Sequence, residues 1–339
     1  MNPIERNQQV QLRRQRDGMP EVADFQMADT PMPQPNDGEA LVRSIYLSLD
    51  PYIRKAIRGD HPGHRALQPG EVIYGRSVCR VVRSRHADLK PGDCLVAETG
   101  WQTYACITPK KIVQRIDPAL GPLSTAVGVL GMPGLTAWGS VTHAAAPKIG
   151  DTYVVSAAAG PVGGTVGQLA KLAGARVVGI AGGKEKCDVA LRTYGFDACV
   201  DYKKDGWEQA LQAACPNGID IYHDNVGAPL LSALVKYFNL YAQVVLCGRP
   251  GDYHSSEYQG LGLGPIIGKR ARMKGLVVYD FENDLPRYLR VASGLVREGK
   301  LKFKEDHAEG IDKTPAHFMR LMKGENVGKA IVVVGPEKG

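Results

Sequence analysis

The pattern of apolar and polar positions changes character part-way along the chain. Up to about residue 120 it reads as strands and turns. Residues 40–49 alternate apolar and polar side chains before an Asp50-Pro51 stop, residues 78–83 form a second such run, and residues 94–97 follow a turn at Lys90-Pro-Gly-Asp93. Arg6, Arg13, Arg14 and Arg16 are interleaved with polar residues, as in a solvated strand or arm. From Gly150 the rhythm becomes strand, helix, strand. Residues 152–156 are a short apolar strand, and a glycine turn leads into a helix with Val162, Val166, Leu169 and Ala173 on one face. A second strand at 175–180 and a second helix at 184–194 follow. Runs at 198–200, 219–222, 242–246 and 275–278 continue as strands with helical segments between them, ahead of a helix at 285–298 and a last strand at 328–334. This alternation predicts an α/β fold, a doubly wound parallel sheet covered on both faces by helices, beside a β-rich domain that the last strand most economically rejoins.

Length and composition narrow the picture. A chain of 339 residues is comfortable for two domains and buries enough surface to need neither disulfide nor metal for stability. With 44% hydrophobic and 23% charged residues it is globular, and its 40 glycines call for close backbone approaches. The net charge of +7 is mild and scattered, which suits a small anionic ligand and argues against nucleic acid. Seven cysteines with no CxxC suggest neither a disulfide framework nor a zinc lobe. The opening MNPIERNQQVQLRRQ has no apolar core, and the long uncharged stretches at 118–142 and 152–170 are broken by Gly and Pro. A cytoplasmic protein without membrane spans is the expectation.

The candidate chemistry starts at the turn Val154-Val-Ser-Ala-Ala-Ala-Gly160-Pro161-Val162-Gly163-Gly164. Between a strand and a helix, glycines let the backbone approach a pyrophosphate, and the helix N-terminus offers free N–H groups. Ala158 stands where the usual GxGxxG fingerprint has its first glycine, leaving A-x-G-x-x-G. At the end of the second strand, Ile180-Ala-Gly-Gly-Lys184-Glu-Lys186, no acid is placed to take the ribose hydroxyls of NAD, and two lysines follow. That selects a 2′-phosphate and hence NADPH. There is no cysteine before Cys79, and His61 and His64 have no thiolate nearby, so no catalytic metal is expected. Hydride transfer supported by protein hydrogen bonds is the chemistry left.

The chain resembles the zinc-independent medium-chain reductases of the leukotriene dehydrogenase, prostaglandin reductase and plant double-bond reductase group, the bacterial curcumin reductases included. The motifs that carry the resemblance are Leu47-Ser-Leu-Asp-Pro-Tyr52-Ile-Arg54, Gly100-Trp-Gln-Thr-Tyr104, Val129-Leu-Gly-Met-Pro-Gly-Leu-Thr-Ala137, residues 157–163, Asp224-Asn225-Val-Gly227, Cys247-Gly248 and Gly324-Glu-Asn326-Val-Gly-Lys329. It implies a GroES-like catalytic domain over 1–125, completed by 300–339, and a Rossmann NADPH-binding domain over 126–299. It also implies a homodimer. Nucleotide contacts would fall on Gly160, Pro161, Val162, Gly163, Lys186, Tyr202, Asn225, Cys247, Gly248, Tyr253, Leu276, Val277, Val278 and Asn326. Where relatives carry a Ser/Thr-rich stretch, this chain has Arg249-Pro-Gly-Asp-Tyr253-His254, and it lacks their proline run in the following loop, so the substrate pocket is expected to be reshaped.

The implied reaction reduces the C=C bond of an α,β-unsaturated ketone or aldehyde. Hydride arrives at the β-carbon and negative charge gathers on the carbonyl oxygen, which needs a donor. A tyrosine, protonated at neutral pH, suits this. Tyr253 is the first candidate and Tyr52 the second. Rival readings are a quinone reductase using the same cofactor, and a protein that binds NADPH without turnover. Met132 is as compatible with the core as with a ligand contact, and Trp101 and Trp138 could wall the pocket, although aromatic residues near a domain junction are usually packing.

Overall fold

The alternating runs of the first third of the chain fold as an antiparallel hairpin and a mixed sheet. The computed structural model describes residues 6–248 and 262–337, and the chain divides into two units, Met1–Val127 with Glu305–Gly339, and Gly128–Lys304.

In the first unit β1 (Arg6–Leu12) pairs antiparallel with β2 (Phe25–Pro31). Five further strands, β3 (Ala40–Ser48), β4 (Arg76–Ser84), β5 (Cys94–Glu98), β6 (Tyr104–Ile107) and β7 (Ile112–Arg115), join two from the tail, β14 (Glu305–Glu309) and β15 (Lys329–Val333), in a seven-stranded sheet. Its order is β14-β15-β3-β4-β5-β7, with β6 on β3. This is the β-rich unit of a GroES-like domain. The Asp50-Pro51 step does not simply end β3. It opens α1 (Tyr52–Arg58), because proline is tolerated where a helix begins. Trp101 is wholly buried, stacked on Phe25 with ring centroids 5.7 Å apart and set edge-on to Phe318, which lies on α9 (Thr314–Met322).

The second unit begins with α2 (Met132–Gly139) and then alternates strictly. The strands are β8 (Thr152–Ser156), β9 (Arg176–Ala181), β10 (Ala198–Asp201), β11 (Ile219–Asp224), β12 (Phe238–Leu246) and β13 (Arg272–Gly275). Between and after them run α3 (Pro161–Leu172), α4 (Lys184–Asp188), α5 (Trp207–Ala214), α6 (Ala228–Leu234), α7 (Leu263–Lys269) and α8 (Leu285–Arg297). All pairings are parallel in the order β10-β9-β8-β11-β12-β13, which is the doubly wound arrangement. Tyr153 and Val155 pack into one apolar layer and Val154 into the other, as the period of two in a strand buried on both faces requires.

Two elements depart from the sequence expectation. The strand expected at 275–278 runs instead over Arg272–Gly275, and its four residues are all exposed. An edge strand of this kind lacks the apolar run that would reveal it. The helix expected at 184–194 is α-helical only to Asp188 and widens into a π-helical stretch over Val189–Thr193. Among the described residues no helix is long and apolar enough to cross a membrane.

Candidate active site

The strand order reverses between β8 and β11, and in such a sheet ligands bind beyond the carboxyl ends of the strands at that switch point. The turn after β8 is built for it. Ala157 takes a left-handed conformation, the Gly160 N–H closes on the Ala157 carbonyl at 2.9 Å, and Gly160 caps α3 with Pro161 at its first position. No side chain caps this end, no acid lies in the first turn, and the early N–H groups of Val162 and Gly163 have no carbonyl within the helix. Gly163 is required by space. A Cβ there would lie 2.5 Å from the Ala157 carbonyl oxygen, so only glycine lets the helix approach the strand.

Beyond β9 the chain runs through Gly182 and Gly183. A Cβ on Gly182 would stand 3.0 Å from the Tyr202 ring and 3.0 Å from Lys203 Cε, so these side chains roof the crevice between the ends of β9 and β10. Asp201, the last residue of β10, accepts the N–H groups of Gly183 at 2.8 Å and Lys203 at 3.1 Å, and the Gly183 bond is the main reason its carboxyl is held below the usual range. Lys184, exposed at the start of α4, forms an ion pair with Asp188 one turn on, and Lys186 is half-buried on the same helix. Lys203 was not singled out from the sequence. Its only signal there is its place just after a short strand.

Asn225 follows β11 directly. Its backbone N–H donates to Ser156 Oγ at 2.8 Å and its side-chain Nδ2 to the Ser156 carbonyl at 2.9 Å. Asp224 is buried, and its Oδ1 accepts the N–H groups of Val226 and Gly227 and the Tyr222 hydroxyl, shaping the turn. Burial raises its carboxyl all the same. Cys247 and Gly248 follow β12, both donating their N–H to the Asp224 carbonyl, and burial pushes the Cys247 thiol up to about 12, which disfavours the thiolate. Leu276 is buried in the core beyond β13, while Val277 is exposed and Val278 half-buried. The nucleotide residues expected in this unit and described by the structure thus follow the carboxyl ends of parallel strands.

Gly134 of the Met132-Pro133-Gly134 run has its Cβ position taken by the Val129 carbonyl, and Trp138 packs on Tyr288 and Arg287. Both features are packing. Tyr253 lies outside the described residues.

In the first unit, Tyr52 opens α1 and its ring faces His61 at 5.0 Å and His64 at 6.2 Å, with Tyr74 set edge-on to His64 at 4.5 Å. His61 and His64 bring their Nδ1 atoms within 3.2 Å, and burial lowers the basicity of His61. These rings form a half-buried wall around Tyr52. Asn326, on the tail, turns its Nδ2 onto the Gly328 carbonyl at 2.8 Å. Among the described residues no group of three or more His, Cys, Asp or Glu side chains is placed to hold a metal ion.

Residues 8–115 match the family model described as N-terminal domain of oxidoreductase, and residues 161–294 that described as zinc-binding dehydrogenase. Over 337 residues the chain is 36% identical to the NADPH-dependent curcumin reductase of Escherichia coli (strain K12), covering 97% of each protein. The chain belongs to the medium-chain dehydrogenase/reductase family. It is also 37% identical over 341 residues to the 2-alkenal reductase (NADP(+)-dependent) of Nicotiana tabacum, covering 98% of each. The crystal structure of CurA from Vibrio vulnificus in complex with NADPH superposes with a TM-score of 0.90 at 36% identity, over 97% of this chain and 99% of that one. Within the family the chain therefore falls in the group of curcumin, alkenal and prostaglandin reductases.

Proposed function

We propose that this chain is an NADPH-dependent oxidoreductase that reduces the C=C bond of α,β-unsaturated ketones and aldehydes without a metal. One observation carries the reading: an uncapped helix N-terminus stands beside a crevice roofed by Tyr202 and Lys203, in a chain whose relatives reduce such bonds with NADPH.

The residues fit the cofactor. The first turn of α3, at Gly160 to Gly163, receives the pyrophosphate on its free N–H groups. Tyr202, Lys186 and Lys203 receive the 2′-phosphate, and Asp201 does not compete for it because its carboxylate is engaged by backbone N–H groups. Asn225, Cys247, Gly248, Leu276, Val277 and Val278 line the path beyond the strands, Leu276 through its backbone because its side chain is in the core. Tyr253 and Asn326 complete the set. The cofactor, when bound, supplies the hydride. The phenol of Tyr253 donates to the substrate oxygen as charge gathers there, and Tyr52, held by its wall of rings, is the second candidate for that donor. The α-carbon takes its proton from solvent.

A homodimer belongs to the same proposal. Among the described residues β13 is an edge strand with no strand paired on its outer side, flanked by exposed Leu263 and Ile267 on α7 and by Met273 on the strand itself. The protein works in the cytoplasm on small molecules. Comparing NADPH with NADH as donor for an aryl enone, with and without a chelator, tests the reading. It requires preference for NADPH and indifference to the chelator. Equal use of NADH, or activity restored to a chelated sample by added metal, would refute it.

A further inference from the structure

A buried chain of hydrogen bonds runs from α2 to Asn225, and its direction is set at the far end. Thr136 Oγ1 donates to the Met132 carbonyl at 2.8 Å, and Ser140 Oγ donates to the Thr136 carbonyl at 2.7 Å. The Ser140 hydroxyl has one proton, which that second bond uses. His223 Nε2 lies 2.9 Å from Ser140 Oγ, so the imidazole must carry its proton on Nε2 and donate it. Nδ1 is then bare and accepts from Asn225 Nδ2 at 3.1 Å. The other Nδ2 proton goes to the Ser156 carbonyl at 2.9 Å. With both N–H groups engaged, Asn225 Oδ1 is turned to the remaining side, and no bond to it is formed among the described residues. Ser140 and His223 are both wholly buried, so water does not compete for these bonds.

We infer that His223 is a positioning residue: its Nδ1 fixes the Asn225 carboxamide so that an oxygen acceptor, and not an amide donor, is presented beyond β11 to an N–H or O–H group of the bound cofactor. The inference rests on the reading that Asn225 meets NADPH. The cofactor's carboxamide and ribose hydroxyls are the donors such an acceptor would take. A charged imidazolium would put a proton on Nδ1, facing the donor of Asn225. Burial opposes that charge and lowers the His223 pKa to about 3.

Two substitutions separate positioning from space-filling. In His223→Gln the side-chain amide can offer its oxygen to Asn225 and its N–H to Ser140, reproducing both bonds. In His223→Phe the ring's volume is kept and both bonds are lost. Expected is a KM for NADPH raised about tenfold or more in the Phe variant and held within about threefold in the Gln variant, with the Gln variant melting no higher than the Phe one. A Phe variant that binds NADPH as the native protein does, beside a weak Gln variant, would overturn the inference. A second readout is independent of turnover and of any variant's folding. The imidazole 15N spectrum of the native protein should show His223 neutral with its proton on Nε2, and a proton on Nδ1 would overturn the inference. Failure of the native protein to bind NADPH would instead overturn the functional reading beneath it, with the tautomer result still standing.

Discussion

Lys329 Nζ lies 2.6 Å from Asp50 Oδ1, with both side chains buried. Lys329 opens the tail strand β15, and Asp50 stands two residues before Tyr52. The same ammonium donates to the Leu49 carbonyl at 2.7 Å, and the other carboxylate oxygen accepts from Ser48 Oγ at 2.5 Å. Two motifs almost 280 residues apart in the chain are thereby locked into one turn. Removing one partner leaves the other charge buried. Lys329→Met and Asp50→Leu should each cost about 3–5 kcal/mol, and the double substitution less than either alone. Denaturant titration checks this. Additive losses in the double variant would count against the pairing as the source of the effect.

Selection for the 2′-phosphate should rest on the crevice beyond β9. Lys203→Ala and Lys186→Ala should each raise KM for NADPH about tenfold while leaving that for NADH within about twofold. Steady-state assays with both donors decide it, and a parallel loss with NADH would place these lysines outside the phosphate site.

Gly163→Ala would drive a methyl group to 2.5 Å from the Ala157 carbonyl oxygen, so α3 must retreat from the turn. Expected are a stability loss of about 1–3 kcal/mol and a KM for NADPH raised about tenfold or more. Thermal melts with and without NADPH measure both. A variant stabilised by NADPH as well as the native protein would remove the turn from the cofactor site.

Stability should fall in mild acid through His223. Its pKa is lowered from 6.5 to about 3 in the folded chain by burial, so between those values the unfolded chain holds the extra proton. Stability then rises with pH across that window and is lost as pH falls from about 6.5 toward about 3. His223→Gln should flatten the curve there. Parallel curves for the two proteins would show that another group is responsible.

Tyr253→Phe should lower turnover of an enone about a hundredfold with KM for NADPH nearly unchanged, since the phenol acts on charge that develops only during reaction. Tyr52→Phe should have a smaller effect in the same direction. Unaltered turnover in the Tyr253 variant would assign the donor elsewhere.

The nucleotide-binding fold was legible because its strands are buried on both faces. Thr152–Ser156 is buried throughout around an apolar Tyr153-Val-Val155 centre and a glycine turn follows, so strand, turn and helix could each be read with little tertiary context. Strand β13 was misplaced because an edge strand carries Arg272 and Lys274 where a central one would carry valines. The wall around Tyr52 was hidden for another reason. His61, His64 and Tyr74 meet it across a loop, and no periodicity in sequence records such a meeting. Lys184 and Lys203 mark the same limit: both follow strands, and only the structure turns one toward Asp188 and the other over Gly182.

The most direct test of the account is to mix the purified protein with NADPH and an aryl enone and identify the product. The account predicts loss of the dihydronicotinamide absorbance and a saturated ketone, with NADH far slower and chelator without effect. An allylic alcohol as product, or no consumption of NADPH with any enone or enal, would contradict it.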